Sequence, residues 1–236
     1  MTVGDYIKKK LIEKGASVVG FADLSSISEE AGNGFPRGIV FGVALNPAIV
    51  IGIQDGPTME YYNEYKRLNS LLDELGKYTE KLLKDNGYAA LAKTRKVVVV
   101  DDSTHRSELP HKTIATRAGI GWIGKSALLV TAEYGSALRI SSVLTNAELK
   151  TGTPVNSSRC GECTICKSCC PGEAISGKVW TVGTDRDEFF HAFDCRRTAL
   201  GRSGKIGLHE TICGLCILKC PWTQRYLAKH TVAPVE

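Results

Sequence analysis

The residues of this chain best equipped for chemistry are its nine cysteines. All nine lie between Cys160 and Cys220, and the first 159 residues contain none. Thiols crowded into one segment form either a disulfide framework or a set of metal and redox ligands. A disulfide framework suits a small exported chain. The start, MTVGDYIKKKLIEKG, has no long apolar run leading to a small-residue cleavage site, so it does not read as an export signal. The expected location is the cytoplasm, where thiols stay reduced and clustered cysteines bind metal.

The spacing narrows the metal. Cys160-x2-Cys163-x2-Cys166-x3-Cys170-Pro171 fits the run that holds [4Fe–4S] clusters in bacterial ferredoxins, where the fourth cysteine serves the neighbouring cluster. A partial second run, Cys213-x2-Cys216-x3-Cys220-Pro221, lacks one cysteine, and Cys195 lies upstream to replace it. The crossing rule then gives one set of Cys160, Cys163, Cys166 and Cys220, and another of Cys170, Cys195, Cys213 and Cys216. Thiolates at two-residue gaps can wrap one face of a cubane while backbone N–H groups donate to its sulfurs. A zinc site built from Cys160, Cys163, Cys213 and Cys216 would strand the other four and leave both Cys-Pro pairs unexplained. Cys169 is left over and is expected to be a small buried thiol. Phe189, Phe190 and Phe193 precede Cys195 and are expected to shield a cluster from water.

Charge agrees with this. The formal net charge is +5. Each [4Fe–4S]2+ core with four thiolates carries −2, so two of them bring the chain to about +1. The basic excess then offsets cofactors rather than marking a nucleic-acid surface.

Such ligands need a scaffold, and 236 residues with 43% hydrophobic positions suffice for one large domain or two modest ones. The longest apolar stretches, residues 48–53 and 97–100, are too short to cross a bilayer, so no membrane partner is expected. Thr2 can cap a first helix with Ile7, Leu11 and Ile12 on one face and Gly15 closing it. Residues 18–22, 38–45, 97–100, 128–131 and 137–144 read as strands. Asp55-Gly56-Pro57 opens the longest helix, with Tyr61, Tyr65, Leu68, Leu72, Leu75 and Leu82 at helical spacing. Residues 109–118 read as helix, followed by a glycine-rich turn over 119–124. The pattern predicts an α/β layer fold over residues 1–150 and a cysteine-rich, ferredoxin-like module with two [4Fe–4S] clusters over 151–236.

Residues 119–126, GIGWIGKS, satisfy G-x4-G-K-[ST]. A phosphate-binding loop follows a strand and opens a helix, however, and here a helical segment precedes and a strand follows. Nucleotide hydrolysis is therefore not expected. The histidines form no metal-binding pair. His105 and His111 lie near Asp101 and Asp102 in sequence and remain weak candidates for proton donation.

Ala118-Gly-Ile-Gly-Trp-Ile-Gly-Lys125, Gly135-Ser136, Val143-Leu144-Thr145 and the paired cluster runs ending Cys220-Pro-Trp222 together resemble the epoxyqueuosine reductase family. That family is related to reductive dehalogenases. The resemblance implies a cobalamin on a corrinoid-binding-type α/β domain beside two [4Fe–4S] clusters. Electrons from a donor such as ferredoxin or flavodoxin would enter through the clusters and reduce cobalt to nucleophilic Co(I). The corrinoid would then reduce a small organic or modified-nucleoside substrate, with tRNA as its carrier in the family. It also implies a carboxylic acid proton donor, for which Asp102 beside Ser103 is the nearest match and Asp101 the alternative. Gly121, Trp122, Gly124, Lys125, Gly135 and Ser136 become the expected corrin contacts. Residues 61–69 read YYNEYKRLN where the family carries a tyrosine–alanine–arginine–glycine motif, and no tRNA-holding helical repeat precedes Glu236. A short homologue with the redox apparatus and a changed substrate is the expectation. Two other classes remain open. One is a two-cluster ferredoxin-type electron-transfer protein without corrinoid, and the other is a protein whose clusters are structural.

Overall fold

The computed structural model describes residues 2–231. The chain folds into two compact units of interleaved segments. The first takes the residues up to Ala44 with Leu68–Gly121 and Arg139–Val155; the second takes Leu45–Arg67, Trp122–Leu138 and the described residues from Asn156 onward.

The first unit is built on a four-stranded sheet of order β1-β2-β6-β3, comprising β1 (Val18–Asp23), β2 (Arg37–Ala44), β3 (Ala90–Ala92) and β6 (Leu138–Thr145). β1 and β2 pair antiparallel from Val18↔Gly42 to Asp23↔Arg37. β3 pairs antiparallel with β6, Ala90 opposite Thr145. β2 is buried along nearly its whole length, which is why its sequence is a continuous apolar run rather than an alternation. Helix α1 (Val3–Glu13) packs on β1 and starts in a capping box, in which Thr2 Oγ accepts from Asp5 N and the Asp5 carboxylate accepts from Thr2 N. Its buried face is Gly4, Ile7 and Leu11; the expected Ile12 lies one step further round and is exposed. Helix α4 (His111–Arg117) lies against β1 and β2.

The strand expected at residues 97–100 does not form. Thr94 O accepts from both Val97 N (2.9 Å) and Val98 N (3.0 Å), which turns the chain, and Val99 is 81% exposed. The position beside β6 is taken by the short Ala90–Ala92 segment, so tertiary pairing overrides the β-propensity of four valines.

The second unit contains α2 (Pro47–Ile51) and a hairpin of β4 (Trp122–Ile123) and β5 (Leu129–Val130). The cysteine segment adds α5 (Ile165–Ser168), a 3-10 turn at Arg186–Glu188, α6 (Ala192–Gly204), α7 (Leu215–Leu218) and α8 (Pro221–Thr231). Asn46 Oδ1 accepts from Ala48 N and caps α2, with Pro47 in its first turn. The longest helix, α3 (Met59–Asp85), follows, with Thr58 Oγ accepting from Tyr61 N. Leu83 rather than Leu82 is its last buried apolar residue.

Where the sequence reading draws one boundary near residue 150, the chain crosses between the units five times, the last at Val155 and Asn156. The reason lies in the second unit's core. Its cysteine segment is poor in large apolar residues and recruits Leu45, Ile53, Tyr61 and Trp122 from earlier in the chain. Tyr226 Oη donates to Leu45 O at 2.9 Å across this join.

Candidate functional site

The two cysteine runs fold alike. Cys160 and Cys163 sit in a loop and Cys166 in α5; Cys213 sits in a loop and Cys216 in α7. The two short helices pack on each other. Each run ends in Cys-Pro, and Pro221 opens α8, where its missing N–H costs no hydrogen bond.

Cys160, Cys163, Cys166 and Cys220 line one cavity of about 260 Å³, together with Cys216, Gly124, Lys125, Arg159, Trp222 and Arg225. This is the first expected set, with Cys216 reaching the same wall. Burial first, and then the neighbouring Cys160, Cys220, Cys163 and Cys169, push the Cys166 thiol up to about 11. The members of the second expected set also act on one another. Burial followed by Cys170 and Cys213 pushes Cys195 up to about 11. Burial and then Cys195 and Cys213 raise Cys216 well above the ordinary thiol value. Thiols held this way keep their protons at neutral pH unless a metal core takes their place. Cys169 is half-buried, with its Sγ 3.6 Å from Cys166 O.

Among the described residues, no three His, Cys, Asp or Glu side chains are grouped to hold a single metal ion. The thiols instead spread around a cavity wall, as a polynuclear core requires. The donor set and cavity therefore fit a [4Fe–4S] cluster at the first set. Lys125 is buried, and its Nζ donates to Cys163 O at 2.9 Å, fixing the ligand loop and placing a cation on the cavity wall. Arg225 stacks over Trp222 at 4.5 Å, and Arg159 lies 5.4 Å from the centre of the Trp122 ring. The two indoles meet edge to face at 4.9 Å. Arg159 and Arg225 are functional candidates the sequence reading missed. Their signal was adjacency, one preceding Cys160 and the other a helical turn beyond Pro221. At Gly124 an added Cβ would meet Val130 Cγ2 at 2.8 Å and Cys160 Sγ at 3.7 Å, so the hairpin backbone closes on the thiol loop.

The expected corrin contacts do not come together as one open cradle. Gly124 and Lys125 belong to the thiol cavity. Gly121 and Trp122 are buried in the protein interior. Ser136 N donates to Thr223 Oγ at 3.1 Å, and Gly135, with a left-handed φ of +58°, has the Thr223 backbone where a Cβ would be. These small residues serve to dock α8. The phosphate-loop spacing also lacks its strand-to-helix setting, since α4 precedes it, β4 lies within it and β5 follows.

Asp101 and Asp102 lie on an exposed turn rather than at a strand end. Asp101 Oδ1 accepts from Ser103 Oγ at 2.5 Å, from Ser103 N at 2.8 Å and from Thr104 N at 2.9 Å. Those hydrogen bonds, the Ser103 hydroxyl first, hold its carboxyl below the usual carboxylate range. Asp101 lines a cavity of about 530 Å³ in the first unit. His111 is half-buried, with Nδ1 2.8 Å from Ser142 Oγ, and loss of hydration pulls it down to about 4. Phe189 is buried, whereas Phe193 is exposed.

No family model matches the sequence. The epoxyqueuosine reductase of Synechocystis sp. is 33% identical over 130 residues, covering 54% of this chain and 44% of that protein. The epoxyqueuosine reductase of Lactococcus garvieae is 36% identical over 110 residues, covering 47% of this chain and 28% of that protein. The match thus spans less than half the length of either relative. Among solved structures, a catabolic reductive dehalogenase in complex with 3-bromo-4-hydroxybenzoic acid superposes with a TM-score of 0.71 at 17% identity, covering 92% of this chain and 31% of that one. An epoxyqueuosine reductase from Streptococcus thermophilus superposes with a TM-score of 0.57 at 20% identity, covering 95% and 67%. The chain therefore resembles epoxyqueuosine reductases in sequence, and its mixed α/β fold is one found in those enzymes and in a reductive dehalogenase.

Proposed function

We propose that this protein is a cobalamin-dependent iron–sulfur reductase resembling epoxyqueuosine reductase. The observation that carries the redox half is the pair of alike cysteine runs whose short helices, α5 and α7, pack on each other. Two clusters in one small unit suit an electron relay, because a single one would suffice as a staple. The corrinoid half rests on the relatives, and when bound the corrinoid would supply the reducing centre at which an organic substrate is transformed.

The chain's own residues supply the rest. Cys160, Cys163, Cys166 and Cys220 hold one cluster in this reading, and Cys170, Cys195, Cys213 and Cys216 the other. Lys125, Arg159 and Arg225 offset the negative charge of the first. Asp102 beside Ser103 is the proposed proton donor, with Asp101 the alternative. The substrate is a small organic or modified-nucleoside group, tRNA-borne in the fullest version of the reading. A reduced ferredoxin or flavodoxin is the proposed electron source, in the cytoplasm.

Anaerobic reconstitution followed by a cob(II)alamin titration under EPR tests both halves. About eight irons per chain, two reducible [4Fe–4S] signals and a stoichiometric shift to base-off cob(II)alamin are expected. Two clusters with the cobalamin signal unchanged would make the protein an electron carrier. In Cys195→Ala about half the iron should be lost; full iron and an unaltered spectrum would overturn the second ligand set.

A further inference from the structure

A second polar site lies in the first unit, with no cysteine in its lining. It is a cavity of about 250 Å³ walled by Leu72, Val98, Val100 and Ile140. Its charged lining consists of Lys93, Arg95 and Arg139 against the single carboxylate of Asp73. Asp73 is already engaged, because its two oxygens accept from Arg95 N at 3.1 Å and from Arg95 Nε at 3.0 Å. Asn69 Oδ1 accepts from Arg139 Nε at 3.1 Å and Nη2 at 2.8 Å, which turns the other end of the amide into a donor. That donor, Asn69 Nδ2, is buried with no acceptor among the described residues, and Asn69 is 3% exposed. Lys93 is 8% exposed and lines the same cavity. Burial pulls it below the ordinary lysine value, with only the charge of Glu108 opposing.

Buried donors without acceptors are costly and uncommon in folded proteins. Such a donor, Asn69 Nδ2, beside the Lys93 ammonium and a cationic wall is complementary to an oxyanion, whose lone pairs can accept from both groups at once. The apolar walls add room for the carbon body that carries it.

We propose that this cavity is a binding site for an oxyanion, a phosphate or carboxylate group borne on an organic ligand, received by Lys93 and Asn69 Nδ2. The proposal stands apart from the cluster ligands and does not depend on the corrinoid reading. Two sources share the chemistry: the anionic group of a substrate, and the phosphodiester in the nucleotide tail of a corrinoid.

The test is calorimetric titration of the cluster-loaded protein with inorganic phosphate, phenyl phosphate and acetate, using chloride as the ionic-strength control. Saturable binding is expected, with phenyl phosphate tighter than phosphate and with a shift of the His111 ring resonances. Asn69→Asp keeps the acceptor for Arg139 but sets a negative charge in the cavity, and should abolish binding. Lys93→Gln should weaken it at least tenfold. Cobalamin displacing phosphate where cobinamide, which lacks the nucleotide tail, does not would assign the site to the cofactor. Displacement by neither would assign it to the substrate. Absence of saturable binding for all three probes overturns the proposal, and so does unchanged binding in a folded, cluster-loaded Asn69→Asp protein.

Discussion

His111 is enclosed by Ser142, whose Oγ lies 2.8 Å from Nδ1, and feels the charges of Lys93, Arg139 and Asp73. Desolvation is the largest influence, followed by the two cations; Asp73 opposes them. Above about pH 6.5 the imidazole is neutral in both folded and unfolded chains and contributes nothing to pH dependence. Below that value the unfolded chain takes up a proton that the folded chain refuses until about pH 4, so stability falls across this window. The loss is on the order of 3 kcal/mol. Hydrogen exchange of β1 and β2 amides, compared at pH 7 and pH 5 after correction for intrinsic rates, should show it. In His111→Gln the difference should shrink. The neighbouring turn gives a second expectation. Asp101→Asn keeps an acceptor for Ser103 and Thr104 and should leave turnover nearly unchanged, while Asp102→Asn should depress it by about 10²- to 10⁴-fold. Steady-state kinetics of the two variants decide between the acids, and equal losses would remove Asp102 from its proposed role.

Elements show where sequence patterns were enough and where they were not. α1 and the β1–β2 pair follow from local signals, a capping box in one and a continuous apolar run in the other. The four valines at residues 97–100 carried the same kind of signal, but the place beside β6 went to Ala90–Ala92, a segment with little propensity of its own. The cysteine runs were legible because ligand spacing is local. The oxyanion cavity was not, since Asn69, Lys93 and Arg139 come from α3, the end of β3 and β6 and meet only in three dimensions. The small size of Gly135 and Ser136 admits the backbone of Thr223 at the start of α8. Gly135→Ala should therefore cost about 1–3 kcal/mol from the left-handed backbone alone, and more from the overlap. Because Cys220 immediately precedes α8, the variant should also lose iron from one cluster, seen by iron analysis and visible circular dichroism. Gly201→Ala is the matched control. It lies within α6 with nothing within 4 Å of the added methyl and should gain about 0.5–1 kcal/mol.

At the scale of the whole molecule, the two units should differ in their dependence on metal. The first has a sheet core of Ile39, Val40, Phe41, Val143 and Leu144, all nearly inaccessible to solvent. The second carries all nine cysteines, half-buried thiols that would stabilise the fold fully only when ligated. Stripping the iron by anaerobic chelation should collapse exchange protection in α6, α7 and α8 while β1, β2 and β6 keep theirs. Equal loss in both units would show that the clusters do not staple the second. The apo form should also migrate as the more basic species, near its formal +5 rather than about +1.

The interleaving of the two units bears on how such a protein could be assembled by evolution or by an engineer. The cluster-bearing unit draws on Leu45–Arg67 and Trp122–Leu138 as well as on the cysteine segment, so no single cut in the gene would release it as a portable cassette. A transplant of residues 151–236 alone would leave behind Trp122, Lys125 and the hairpin that closes on Cys160. Inheritance of the proposed electron relay and of its scaffold is thereby coupled.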